Sequence, residues 1–153
     1  MVELTLTEDS LSPEALDDLM HKATKTLMWW EKLPDEPEAR KIAWSMVNQL
    51  PKAHFFVGGR PAEKPRYRFR VHTIQGLMSQ RAKQGVMRDL TKLALEAEGA
   101  AMDLDNMSRV WVIFREYSRD DWGIAGAPFA PSGYVTSLDE INTDPMPSVD
   151  AEA

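Results

Sequence analysis

The chain has 153 residues, a formal net charge of −6, 43% hydrophobic and 27% charged residues, and no cysteine. That is enough for one domain that buries most of its apolar surface, while the negative balance argues against nucleic acid or an anionic membrane as the main partner and the lack of cysteine removes disulfides, thiolate metal sites and cysteine nucleophiles. The apolar runs fall short of a membrane span and the start lacks a signal-peptide pattern, so a cytoplasmic protein is expected.

Residues 2–7 (VELTLT) alternate apolar and polar, the pattern of a half-buried strand. A helix follows, with Ser12 as N-cap, Pro13 at the first helical position and Glu14 at the positive end of the dipole. Leu16, Leu19, Met20, Ala23, Leu27 and Trp30 recur at helical spacing and form its apolar face. The stretch PDEPEA breaks the pattern, and residues 41–50 (KIAWSMVNQL) read as a second strand opened by Arg40 and Lys41. A turn-rich excursion comes next, with a short apolar core at 55–57 and a turn at Gly58-Gly59.

The cycle then restarts. Residues 66–74 (RYRFRVHTI) alternate as a strand that places Arg66, Arg68, Arg70 and His72 on one face. A helix capped by Ser79 and closed near Gly99 carries Ala82, Val86, Leu90, Leu93 and Ala94 inward. Residues 109–117 (RVWVIFREY) form a last strand, and 135–153, with five acids and no base, read as a poorly ordered acidic tail. Strand, helix and strand thus recur at an offset of about 66 residues. The expected domain covers 1–134 with pseudo-repeats 1–59 and 66–126. Two β-α-β units predict an α+β fold, a four-stranded mixed sheet with both helices on one face. Other subunits would cover the other face.

A duplicated β-α-β chain whose first strand starts at residue 2 resembles the tautomerase superfamily. PKAHFFVGGRP is similar to the hairpin after the second strand of 4-oxalocrotonate tautomerase. RVWVIFREYSRDDWGIAG is similar to the last strand and tryptophan-glycine loop of longer members, such as cis-3-chloroacrylic acid dehalogenase and macrophage migration inhibitory factor. The resemblance implies a homotrimer whose sheets form a barrel, with sites near subunit interfaces. It also implies keto-enol tautomerisation of a small carboxylate-bearing enol or 2-oxo acid, with no metal or organic cofactor.

That family works through an amino-terminal proline. An α-amine titrates near 7.7–8.0 when unperturbed (roughly), and an apolar pocket beside cations lowers it into the range of a general base. In this sequence no proline precedes Val2, and aligned on LTEDSLSP, Met1 stands at the family's second position. Three readings stay open: a Met-Pro start upstream, a scaffold or small-ligand binder without the base, or a primary amine on Met1 or a processed Val2 serving as base. The dehalogenase arginines are replaced by Gln75, Gly76, Leu77 and Met78, which argues against dehalogenation.

Each further site residue has a bland reading beside the functional one. Phe55 fits the apolar wall next to the base, or is hairpin packing. Arg40 and Lys41 can hold a substrate carboxylate, or are a solvated strand end. Arg66, Arg68 and Arg70 form an anion patch at a subunit interface or a charged outer face, and His72 shares that face. Arg115 supplies a cation from a neighbouring subunit, or pairs with Glu116 or a nearby carboxylate. Trp122-Gly123 reads as an assembly loop. His21, His54 and His72 have no metal-ligand spacing.

Overall fold

The computed structural model describes residues 1–129. Its elements are β1 (Val2–Thr7), α1 (Pro13–Trp30), α2 (Pro37–Ile42), β2 (Ser45–Leu50), β3 (Phe56–Val57), β4 (Arg60–Pro61), β5 (Tyr67–Ile74), α3 (Gln80–Glu98), α4 (Leu104–Met107), β6 (Val110–Tyr117), β7 (Gly123–Ile124) and β8 (Ala127–Pro128). Two compact units are distinguished, Met1–Glu116 and a second one starting at Tyr117. The expected acidic tail lies outside the described residues.

The main sheet has the order β2-β1-β5-β6. β1 runs parallel to β2 and antiparallel to β5, so the sheet is mixed. The fold class is α+β, as expected. Cross-strand register aligns Val2 with Val71, Leu4 with Phe69 and Leu6 with Tyr67. All six side chains are buried and join residues of α1 and α3 in one core. Alternation then turns Glu3, Thr5, Arg68, Arg70 and His72 to the opposite face of the sheet.

Both long helices start by the same device. The Ser12 hydroxyl accepts from the Ala15 N–H, and the Ser79 hydroxyl from the Ala82 N–H, each at 3.1 Å. They lie against each other at Gly85, where an added Cβ would run into the Trp30 ring. The Trp30 indole N–H donates to Asp89 at 2.8 Å, so the ring is held over the gap that the glycine leaves. At the other end of α3, the buried Arg109 guanidinium forks onto Glu98 with two bonds of 2.9 Å. It also donates to the Pro65 carbonyl and the Asn106 side chain, both at 2.9 Å. Burial, followed by the Glu98 carboxylate, holds the neighbouring Tyr67 phenol above its ordinary range.

The expected second strand is shorter than its sequence suggested. Pro37–Ile42 is helical, and only Ser45–Leu50 is strand. Proline suits the first helical turn, Glu38 the N-terminal end, and Arg40 and Lys41 the C-terminal end of the dipole. Local carboxylates finish the helix: Arg40 bonds Asp35 and Lys41 bonds Glu38, both at 2.6 Å. The hairpin at Gly58-Gly59 forms as expected, with φ of 60° and 80° at the two glycines. That geometry suits the tight turn joining β3 and β4. The expected apolar core at 55–57 is absent, because Phe56 is 58% exposed and Val57 is exposed too. Loop residue Met78 is buried in the main core.

In the unit starting at Tyr117, the Tyr117 and Trp122 rings meet edge to face at 5.4 Å. The Phe129 N–H donates to the Trp122 carbonyl at 2.7 Å beside the small β7-β8 hairpin. No described helix is long and apolar enough to cross a membrane.

Replacing Gly85 by alanine is expected to destabilise the chain although alanine gains about 1 kcal/mol of helix propensity; a raised urea midpoint would contradict the Trp30 contact. Arg109→Met leaves the half-buried Glu98 without its partner, and a loss of about 3 kcal/mol in denaturant unfolding is expected.

Candidate functional site

The head of β1 is fixed by a reciprocal backbone pair with β5. The Met1 amine donates to the His72 carbonyl at 3.1 Å. The His72 N–H donates back to the Met1 carbonyl at 2.9 Å. On the other side the Val2 N–H donates to the Trp44 carbonyl at 3.1 Å. The amine is therefore set by the sheet itself rather than by a loop.

Glu31 caps the C-terminus of α1, its N–H bonded to the Leu27 carbonyl. Its carboxylate accepts from the Thr73 hydroxyl at 3.1 Å, and Thr73 is fully buried on β5. Burial raises the Glu31 carboxyl above its ordinary range, against the pull of the amine's charge and the Thr73 bond. Burial likewise lowers the amine, and the Glu31 charge partly restores it. Burial thus shifts both the amine and the carboxyl toward their neutral forms.

On the opposite face of the sheet, the His72 ring nitrogen lies 3.3 Å from Glu3, and Arg70 lies 3.7 Å from the same carboxylate. Burial lowers the His72 imidazole, and Glu3 opposes that shift. Arg68 donates to the Thr5 hydroxyl at 3.1 Å. Arg66 precedes β5 and donates to the Pro65 carbonyl at 3.4 Å.

The structure brings together Met1 and His72 of the expected site residues. Arg40 and Lys41 lie on α2, not at a strand end, and hold Asp35 and Glu38. Phe55 is half-buried, and its carbonyl accepts from the Ala62 N–H at the base of the hairpin. Arg115 is exposed on β6. Glu116, its expected partner in the bland reading, pairs with Lys83 at 2.9 Å. Glu31 and Thr73 were missed by the sequence reading. The available signal was spacing, since Ala23, Leu27 and Glu31 fall on one i, i+4 row and put a carboxylate on the apolar face.

Trp30 and Lys32, which flank Glu31 in the chain, line an open groove of about 570 Å³ between the end of α1 and the start of α3. Trp29, Leu33 and Arg81 complete its walls. Among the described residues, no group of three histidine or acidic side chains is placed to hold a metal ion.

This β-α-β sheet architecture is shared with solved structures of fused 4-OT and of a cis-3-chloroacrylic acid dehalogenase family member. The chain is similar to native fused 4-OT at 17% identity and TM-score 0.69, over 83% of this chain and 94% of that one. It is similar to Pt0534, solved after inactivation by 2-oxo-3-pentynoate, at 22% identity and TM-score 0.69, over 83% and 93% of the two chains. A member of the cis-3-chloroacrylic acid dehalogenase family matches at 14% identity and TM-score 0.67, over 82% of each chain. No protein-family model and no curated protein matches the sequence. The solved neighbours also include a malonate semialdehyde decarboxylase, so the shared fold does not select one reaction.

The two shifted groups give opposite pH slopes to stability. The raised Glu31 carboxyl favours the folded state below its ordinary value of 4.5, and that contribution is lost as pH rises through the folded value. The lowered amine does the reverse, and stability recovers as pH approaches its ordinary 8.0. The Glu31→Gln variant should match the parent near about pH 4 and exceed it near about pH 9 in urea midpoint, because only the parent must bury a charged carboxylate there.

Proposed function

We propose that this chain is a tautomerase acting on a small carboxylate-bearing enol or 2-oxo acid, with an amine at the head of β1 as general base. The observation that carries the reading is the position of that amine: fixed on the His72 carbonyl and shifted toward its neutral form by burial. A neutral amine takes the enol hydroxyl proton, the electron pair closes the carbonyl, and the ammonium returns the proton to carbon. No metal or organic cofactor enters the reaction. Lys32 and Arg81 line the groove between the end of α1 and the start of α3 and offer cations for the carboxylate, while Trp29 and Trp30 offer apolar surface. Its volume is in the range of small-molecule sites, about 300–1,000 Å³.

Self-association belongs to the same reading. Trp111 is 65% exposed and Ile113 also lies open, both on the β6 face that points away from the core. Fused 4-OT, which this chain is similar to, is described as a symmetric trimer in one structure and an asymmetric trimer in another. A homotrimer of the 17.3 kDa chain is proposed. Sedimentation should give that mass, and Ile113→Arg should lower it to the monomer; a parent that sediments as a monomer would remove the assembly from the reading.

The second reading is a non-catalytic oligomeric scaffold or small-ligand binder. It is favoured by the loop after β5, where Met78 is committed to the core and no arginine is present from Gln75 to Met78. Decay of the phenylpyruvate and 2-hydroxymuconate enols separates the two. The tautomerase reading expects acceleration that falls by about 100-fold or more when the amine is blocked. Acceleration that survives blocking removes the amine mechanism, and no acceleration on either enol leaves the scaffold.

A further inference from the structure

A second open groove, of about 630 Å³, lies between the first half of α1 and β2. Leu16, Met20 and Val47 give it apolar surface, and the exposed carboxylates of Glu8 and Asp17 stand at it. A third acid there, Asp9, is met by Lys52 of the same chain at 3.7 Å. Among the described residues, neither Glu8 nor Asp17 is paired with a cation, and no basic residue lines the groove. Asp17 adjoins Leu16 and lies one turn before Met20, so acid and apolar surface meet along α1. β2 is also an outer strand of the sheet, and an open strand edge is a surface that proteins cover.

The β3-β4 hairpin has the opposite character. Residues 51–61 (PKAHFFVGGRP) hold Lys52, His54 and Arg60 and no acid. Phe56 and Val57 are exposed on β3. Arg60 sits directly across the ladder from Val57, exposed and without an ion pair among the described residues. An apolar tip thus adjoins an unpaired cation. The hairpin does not serve its own groove, since none of its residues lines that groove. Residues 130–153 contain five acids and no base, so like charge disfavours them as the occupant.

We propose that the groove between α1 and β2 receives the β3-β4 hairpin of a second copy of this chain, with Phe56 and Val57 on its apolar surface and Arg60 facing Asp17. The inference rests on the self-association reading for its partner and names the contact. Tip and groove are different patches, so the contact is heterologous: each copy gives its tip to one neighbour and its groove to another. Contacts of that kind close into a ring when the rotation between copies permits, with three copies for the proposed trimer. The assembly then pairs charges that a single chain leaves open and covers the edge at β2.

The test exchanges the charges. The full chain is sedimented over a concentration series as the parent, as Arg60→Glu, as Asp17→Arg and as the double variant. Both positions are exposed, and an unchanged urea midpoint shows that each variant is folded. Phe56→Ser, which removes apolar surface without touching charge, is the further variant if either reversal folds poorly. Each single reversal should raise the dissociation constant by about 10-fold or more, and the double variant should recover at least half of that loss on a logarithmic scale. Phe56→Ser should weaken assembly as well. Variants that assemble like the parent overturn the docking and leave the groove to an occupant of another kind, while self-association stands. Weakened single variants with no recovery in the double overturn the Arg60-Asp17 pairing. A parent that sediments as a monomer at every concentration removes self-association and this contact together.

Discussion

The close approach of α1 and α3 at Gly85 sets the rest of the molecule. Trp30 occupies the space that any side chain at 85 would claim, and Asp89 fixes the indole by its N–H. Because the contact lies at the last residue of α1, it also fixes where that helix ends. Glu31 follows directly and reaches Thr73, while Lys32 turns back with a positive φ of 58°. A few residues of helix packing thus decide where the Glu31 carboxyl meets Thr73 on β5.

Burial of one sheet face has a consequence for the other. Val2, Leu4, Leu6, Tyr67, Phe69 and Val71 take the apolar positions of the two central strands. The intervening positions are polar, and they approach one another through Glu3-His72, Glu3-Arg70 and Arg68-Thr5 contacts. Toward the edge of the sheet the same face is apolar and open at Trp111 and Ile113. A charged, internally paired centre beside an apolar edge is the pattern of a face that meets other protein, in keeping with the proposed assembly.

Much of the fold was legible because it rests on local physics. The two serine caps, the helical rows from Leu19 to Leu27 and from Val86 to Ala94, and the alternation of 67–74 are all carried by neighbours within a few residues. The second strand was overextended at its start because Ile42 and Trp44 are strand-formers, while the helix before it is held by Asp35 and Glu38 reaching Arg40 and Lys41. The same ion pairs explain why those two cations are not poised at a strand end. The hairpin was legible in its glycines but not in its exposure, since Phe56 stays exposed among the described residues.

The amino-acid sequence by itself determined the helices, the strand periodicity and the β-α-β order, because capping, amphipathicity and turn chemistry act over short range. Only the tertiary structure decided which distant groups meet. Met1 and His72 are 71 positions apart, Glu31 and Thr73 are 42 apart, and Trp30 and Asp89 are 59 apart. Contacts of that range arise from how the helices settle on the sheet, and burial then changes the proton affinity of the groups caught there.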